Sequence, residues 1–201
     1  HITAKNEKDV MEFLRHRDTR KPFFLNIAFY ATHALLLQTA QYEPQPWSKP
    51  LYEDVKIPNA VTNTKLDWFN MPSFFQNTPG TTVNWERENA GRYFWHYRFF
   101  NPKLYQLMMR KMYRMATEVD HTSGVILDEL KRQGIYDNTF IIYTGDNGVF
   151  HADHGLAEKY TPHEESLRTP LIIKDPRMPD HMIGTQNHDY TLNIDLAPTI
   201  L

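Results

Sequence analysis

Two oxygen donors stand at the end of an apolar run. Thr139-Phe140-Ile141-Ile142-Tyr143-Thr144 leads through Gly145 into Asp146 and Asn147, and Gly148 follows. A carboxylate beside an amide oxygen suits a hard cation such as calcium or magnesium, which collects about six or more oxygen ligands. The apolar residues read as a strand covered on both faces, and the two glycines let the backbone turn sharply at its end. In open α/β sheets, ligands bind in the crevice outside the carboxyl ends of the strands, where this pair would sit. Asp-Asn-Gly is equally a good turn, so the residues alone leave turn and metal site both open.

Other candidates are more scattered. His33 follows a second apolar run, and Lys159 lies in a polar loop; taken singly, the first reads as structural and the second as solvated. His151, Asp153 and His154 suggest either zinc or a solvated loop. With no cysteine among 201 residues, disulfides, a thiol nucleophile and a thiolate zinc cluster are excluded within this sequence. A net charge of −2 gives no sign of nucleic acid, and 41% hydrophobic with 23% charged residues is ordinary for a globular chain. No apolar stretch approaches the roughly 20 residues of a membrane span, and no signal-peptide pattern is present. The chain opens at His1 and stops inside Asp195-Leu196-Ala197-Pro198-Thr199-Ile200-Leu201, which reads as a helix beginning, so it is expected to be a portion of something longer.

The elements that must position these residues follow from periodicity. A helix is expected over about 6–16, with Val10, Phe13 and Leu14 on one face, then a strand over Phe23–Phe29 with Pro22 at its entrance. From about 38 to 100 periodicity fails, and Trp47, Trp68, Trp85 and Trp95 all fall there. So long a segment is functional or disordered, and its aromatic load argues against disorder. Tyr93, Phe94, Trp95, Tyr97, Phe99 and Phe100, with Arg92, His96 and Arg98, read either as a sugar-stacking or partner-binding surface or as an irregular satellite core. The clearest helix starts at the cap Asn101 with Pro102 in its first turn. It carries Leu104, Met108, Met112, Met115, Val119, Ile126 and Leu130 as a core stripe and ends at Gly134, with Gly124 expected to allow close packing. Pro170-Leu171-Ile172-Ile173-Lys174 supplies another strand, and helices alternating with buried strands give an α/β layered domain.

The order of these features resembles the sulfatase family of the alkaline phosphatase superfamily. The resemblance rests on Lys21-Pro22-Phe23-Phe24-Leu25 before His33, Asp146-Asn147-Gly148, Lys159 a dozen residues later, Glu165-Ser166-Leu167-Arg168-Thr169-Pro170-Leu171-Ile172, and Asp195-Leu196-Ala197-Pro198-Thr199. It implies an alkaline-phosphatase-like mixed sheet sandwiched between helices, represented here by an incomplete portion. Residues 1–201 would be the later part of one catalytic domain, with the aromatic-rich segment at about 38–100 as an insertion. It further implies hydrolysis of sulfate esters by a formylglycine hydrate beside a calcium ion, with magnesium or manganese as alternatives. Asp146 and Asn147 would belong to the metal shell, Lys159 would hold a sulfate oxygen, and His33 would contact the sulfate or the bridging oxygen and assist the leaving group. His154 is a further substrate-binding candidate. Arg168 is expected to be a buried ion-pair partner. The implied substrate is a sulfated small molecule or carbohydrate, and a secretory, lysosomal or periplasmic compartment would suit the family.

The sequence also departs from that pattern. It has no Asp-Asp pair, and no Cys or Ser followed by x-Pro-x-Arg: Ser48 is followed by Lys49-Pro50-Leu51-Tyr52, with Tyr52 where arginine is required. The nucleophile, half the metal shell and the first strands are therefore expected outside residues 1–201, and the remainder of the catalytic domain is expected to be required for activity. A phosphodiesterase or phosphonate monoester hydrolase of the same superfamily, or a non-catalytic binding or assembly subunit, are the alternatives.

Overall fold

The computed structural model describes residues 1–35, 40–72, 75 and 89–201; Trp85, counted above with the aromatic segment, lies outside them. Two helices form the floor. Helix α1, Ile2–His16, buries Val10 and Leu14, which lie four residues apart on one face, while Phe13 stays 38% exposed and meets Phe23 edge to face. Two short helices, α2 at Lys65–Phe69 and α3 at Ala90–Phe99, precede the longest helix, α4 at Pro102–Arg132. Asn101 caps α4 by accepting from the Leu104 amide at 2.9 Å. Gly134 stops it with φ +68°, a left-handed position that glycine takes without steric cost. The stripe of Met108, Met112, Met115, Val119, Ile126 and Leu130 is buried as its spacing requires, and Ile126 and Leu130 pack on Val10 and Leu14 of α1. Gly124 does not serve close packing: a Cβ there would meet nothing within 4 Å.

The segment after residue 40 has little regular structure, and α4 supplies the partners that its backbone lacks. Lys111 Nζ donates to the Ala40 carbonyl (2.9 Å), Arg114 Nε to that of Leu51 (2.7 Å), and Gln106 both accepts from and donates to Ile57 (3.0 and 2.7 Å). Glu118, buried in mid-helix, accepts from the Gln45 amide and from Ser48 Oγ, each at 2.5 Å. Tyr42, Ile57, Phe94 and Phe99 join the α4 methionines in one core cluster. The irregular-core reading therefore holds, but the core is the main one and not a satellite. Tyr93, Tyr97 and Phe100 remain exposed.

The strands depart furthest from expectation. β1, Ile141–Thr144, pairs antiparallel with β4, Leu171–Lys174, in the register Ile141↔Lys174 to Thr144↔Leu171. β2, Phe150–His151, pairs with β3, Ala157–Glu158. Among the described residues these two-stranded sheets are the only ones. β1 is not covered along its length: Tyr143 is 44% exposed and its cross-strand neighbour Ile172 is 63% exposed, because the helical floor on their face reaches Ile141, two residues earlier, and not Tyr143. Phe23–Phe29 is extended but pairs with no strand among the described residues. Two short helices complete the chain, α5 at Glu164–Leu167 and α6 at Leu196–Ile200. No helix among the described residues is long and apolar enough to cross a membrane.

Candidate functional site

The turn after β1 aims its oxygens by its own hydrogen bonds. The Asn147 amide donates to Asp146 Oδ1 at 2.9 Å, and Asn147 Nδ2 donates to the Gly148 carbonyl at 2.7 Å. That leaves Asp146 Oδ2 and Asn147 Oδ1 without a protein partner among the described residues. Asn193 Nδ2 donates to the Asp146 carbonyl at 2.9 Å, a brace that no spacing in the sequence announced. Gly148 does more than turn. Its amide donates to the Ser166 carbonyl of α5 at 3.0 Å, and a Cβ there would lie 2.2 Å from the Glu165 carbonyl oxygen, so only glycine lets the turn sit on α5.

The loop from β2 to β3 carries His154 and leads into Lys159. Its backbone is strained, with Ala152, His154 and Glu158 at φ +82°, +55° and +65°, a region non-glycine residues seldom occupy. Helix α3 holds it there. Arg92 Nη1 donates to the Gly155 carbonyl at 2.9 Å while its guanidinium lies between Trp68 and Trp95, 4.1 and 3.9 Å from the ring centres. Arg98 forms an ion pair with Glu158 and donates from Nε to Gln41 Oε1 at 2.5 Å; Arg98 and Glu158 are both buried. Part of the aromatic segment thus acts as the brace of this loop.

His154 is fixed at both ends, its amide donating to Thr62 Oγ1 (3.0 Å) and its Nε2 meeting Glu165 Oε1 (3.1 Å). Its ring lies 5.3 Å from that of His163, whose pKa is lowered first by burial and then by the neighbouring His154. Adjacent residues of α5 therefore tie the Asp146 turn, through Ser166, and His154, through Glu165, to one short helix. Glu165 stood out in the sequence only as part of a motif; its partner lies eleven residues away across a strained loop, which no helical or strand period reveals.

Lys159 is half-buried and makes no hydrogen bond or ion pair among the described residues, so its ammonium is uncommitted. His33 stands apart. Its Nδ1 meets the Ala34 carbonyl at 2.8 Å and its ring leans on Tyr30 at 5.2 Å; no hydrogen bond or ring contact joins it to the Asp146 turn or to Lys159 among the described residues. A carbonyl only accepts, so Nδ1 carries the proton and Nε2 is the nitrogen left for chemistry. The zinc alternative finds no support: no three His, Cys, Asp or Glu side chains are arranged to hold a metal ion among the described residues, and His151 is half-buried, with its pKa lowered by desolvation. Arg168 does form an ion pair, with Glu164 at 3.6 Å, but both side chains are exposed, since the α5 surface at that point faces solvent.

Two unpartnered oxygens on one turn fit part of the shell of a hard cation. The family model described as Sulfatase matches residues 3–201. The chain belongs to the sulfatase family. Its relatives include an arylsulfatase of Clostridium perfringens, 28% identical over 176 residues, which are 88% of this chain and 32% of that protein. Among solved structures, a protein in complex with its substrate D-glucosamine-2-N,6-O-disulfate superposes at TM-score 0.62 and 23% identity, over 87% of this chain and 43% of that one. A phosphonate monoester hydrolase of Silicibacter pomeroyi superposes at TM-score 0.60 and 24% identity, over 84% of this chain and 32% of that one. The fold is thus that of part of an alkaline-phosphatase-like domain. The chain spans about a third of the length of the first curated relatives it matches, 32% and 35%.

Proposed function

We propose that this sulfatase-family chain is the later part of a catalytic domain that hydrolyses sulfate esters. The observation that carries the reading is the Asp146-Asn147 turn, whose two free oxygens are aimed by internal hydrogen bonds and braced from α5 and Asn193. Asp146 and Asn147 would hold calcium, or magnesium or manganese in its place; when bound, the cation supplies positive charge to the sulfate and the nucleophile. That nucleophile, a formylglycine, is assigned outside residues 1–201. Lys159 Nζ binds a sulfate oxygen, where a compact ammonium neutralises the charge that builds as the S–O bond breaks. His33, with Nδ1 committed to Ala34, presents Nε2 to the bridging oxygen; as the imidazolium it passes a proton to the departing alcohol. His154, oriented by Glu165, contacts the substrate from the β2–β3 loop. The substrate is a sulfated small molecule or sulfated carbohydrate, a class that includes the ligand of the solved relative.

A second reading is hydrolysis of phosphonate monoesters or phosphodiesters, favoured by the comparable superposition on a phosphonate monoester hydrolase. Against it, the amide at Asn147 offers a hard oxygen where a histidine would favour nitrogen-liking metals. The test uses the longest reading frame that contains this chain, assayed with para-nitrophenyl sulfate and calcium. That protein is expected to turn over, its Lys159→Ala variant to lose at least about a hundredfold in rate, and residues 1–201 alone to show no turnover. Activity of the isolated 201 residues, or an undiminished Lys159→Ala variant, would overturn the proposal. Turnover of a phosphonate monoester without turnover of the sulfate establishes the second reading instead.

A further inference from the structure

Helices α1 and α4 end beside each other, joined by Gln133 Nε2 donating to the Leu14 carbonyl at 3.0 Å. Both ends carry arginine: Arg15 lies in the last turn of α1, Arg17 follows as its cap, and Arg132 is the last residue of α4. With Thr19, Gln133 and Ile135 these arginines line a cleft of about 470 Å³. Cations at a helix C-terminus ordinarily serve its carbonyls. Here the guanidinium groups are not used for that. The Glu12, Phe13 and Leu14 carbonyls accept from His16 Nδ1, the Arg17 amide and Gln133 Nε2, and those of Glu129, Leu130 and Lys131 accept from the amides of Gln133, Ile135 and Gly134.

One carboxylate stands among the three forks. Buried Glu129 accepts from Arg132 Nε and Nη2 at 2.7 and 2.5 Å and from Gln133 Nε2 at 2.8 Å, with Arg15 Nε 4.0 Å from the same Oε1. That oxygen already draws Arg15 and Arg132 toward one point, yet a single negative charge leaves the cluster positive. Arg17 donates from Nη2 to Gln133 Oε1 at 3.0 Å and lies 4.9 Å from the Phe23 ring centre, which fixes its plane. Its Nε is buried without a hydrogen-bond partner among the described residues. The Nη atoms of Arg15, Arg132 Nη1 and Thr19 Oγ1 make no hydrogen bond among them either. Buried donors in folded proteins are nearly always matched, so an orphan inside a cationic cleft points to an acceptor that fills it.

We infer that this cleft binds a tetrahedral oxyanion, the sulfate or phosphate group of a small ligand. A guanidinium meets such a group with parallel N–H donors, and three forks from two helices can surround a tetrahedron, whereas a planar carboxylate is filled by two. Ligand sites run from about 300 to 1,000 Å³, so the cleft admits the anion together with the body that carries it. Ile135 offers that body an apolar wall. The cleft precedes β1 in the chain and the Asp146 turn follows the other end of that strand, so this site shares no residue with the one proposed for sulfate hydrolysis and does not depend on it.

The test again uses the longest reading frame, treated with the arginine reagent phenylglyoxal and mapped residue by residue by mass spectrometry. The Arg15 and Arg132 side chains are 56% and 65% exposed and open to the reagent; Arg20, 87% exposed and paired with Asp18, is the control. Sodium sulfate, phosphate and acetate are each titrated against sodium chloride at equal ionic strength. Sulfate or phosphate is expected to slow modification of Arg15 and Arg132 about tenfold at ten times its dissociation constant, with Arg20 unchanged. Arg15→Gln alters an exposed side chain and is expected to raise the anion concentration that protects Arg132 at least about fivefold. Equal rates in all four salts, equal protection of Arg20, or acetate protecting at the lowest concentration would overturn the inference. So would an unshifted Arg15→Gln titration, or Arg15 and Arg132 inert in chloride because another segment covers them.

Discussion

Replacing Gly148 by alanine isolates the contact that seats the Asp146 turn on α5. The added Cβ would lie 2.2 Å from the Glu165 carbonyl oxygen, 2.7 Å from that of Arg168 and 3.0 Å from the Glu165 carbonyl carbon. All three are backbone atoms, so no side chain can swing aside; the turn itself must lift by most of an ångström. Forcing atoms into a filled site costs about 1–3 kcal/mol. Lifting also breaks the 3.0 Å bond from the Gly148 amide to the Ser166 carbonyl, a loss of about 1 kcal/mol more. The expected destabilisation is therefore about 2–4 kcal/mol, which lowers the folded-to-unfolded ratio by roughly thirtyfold to nearly a thousandfold. Gly124 supplies the control. It lies inside α4, where an added Cβ would meet nothing within 4 Å, so Gly124→Ala is expected to stabilise by about 0.5–1 kcal/mol through helix propensity. Urea denaturation followed by circular dichroism reads both variants against the parent. A Gly148→Ala midpoint equal to the parent's, or a Gly124→Ala variant as damaged as Gly148→Ala, refutes the reasoning.

Two further outcomes follow from charges. Arg98→Met strands the buried Glu158 carboxylate beneath α3, so it is expected to cost about 3–5 kcal/mol in the same assay, while adding Glu158→Gln restores most of the loss; no rescue would mean that the pair is not coupled. Acid should weaken the fold in two stages. His151 and His163 have pKa values lowered from 6.5 by burial, so below pH 6.5 the unfolded chain binds protons that the fold resists, and stability falls. Glu129 is held down from 4.5 to about 2, chiefly by its hydrogen bonds from Arg132; its contribution is complete above 4.5 and is lost as the pH falls toward 2. Urea midpoints measured from pH 7 to pH 2 check this, and Glu129→Gln is expected to flatten the lower stage.

Local physics was legible in the sequence. Asn101, Pro102, the methionine stripe and Gly134 give α4 because cap, period and left-handed stop are all encoded within a few residues. Tyr143 and Ile172 were not legible in the same way. Their apolar character marks a surface that needs covering, but whether a layer covers it depends on other segments, and within the described residues none does. Glu165 escaped notice for a related reason, since its bond to His154 depends on a loop held in left-handed backbone by Arg92 and Arg98.

By itself the sequence nominated the candidates for the chemistry proposed here, the oxygens of Asp146 and Asn147, the ammonium of Lys159 and the imidazoles of His33 and His154, because residue type and chain order are its own content. It determined the helices too, since their signals are local. Only the tertiary structure decided that α5 is the common support of the Asp146 turn and His154, that α3 braces the loop into Lys159, and that Phe23–Phe29 and β1 keep open edges. Those relations join residues far apart in the chain, and their energy comes from close approach, burial and unmatched backbone groups, quantities that have no value until the chain is folded.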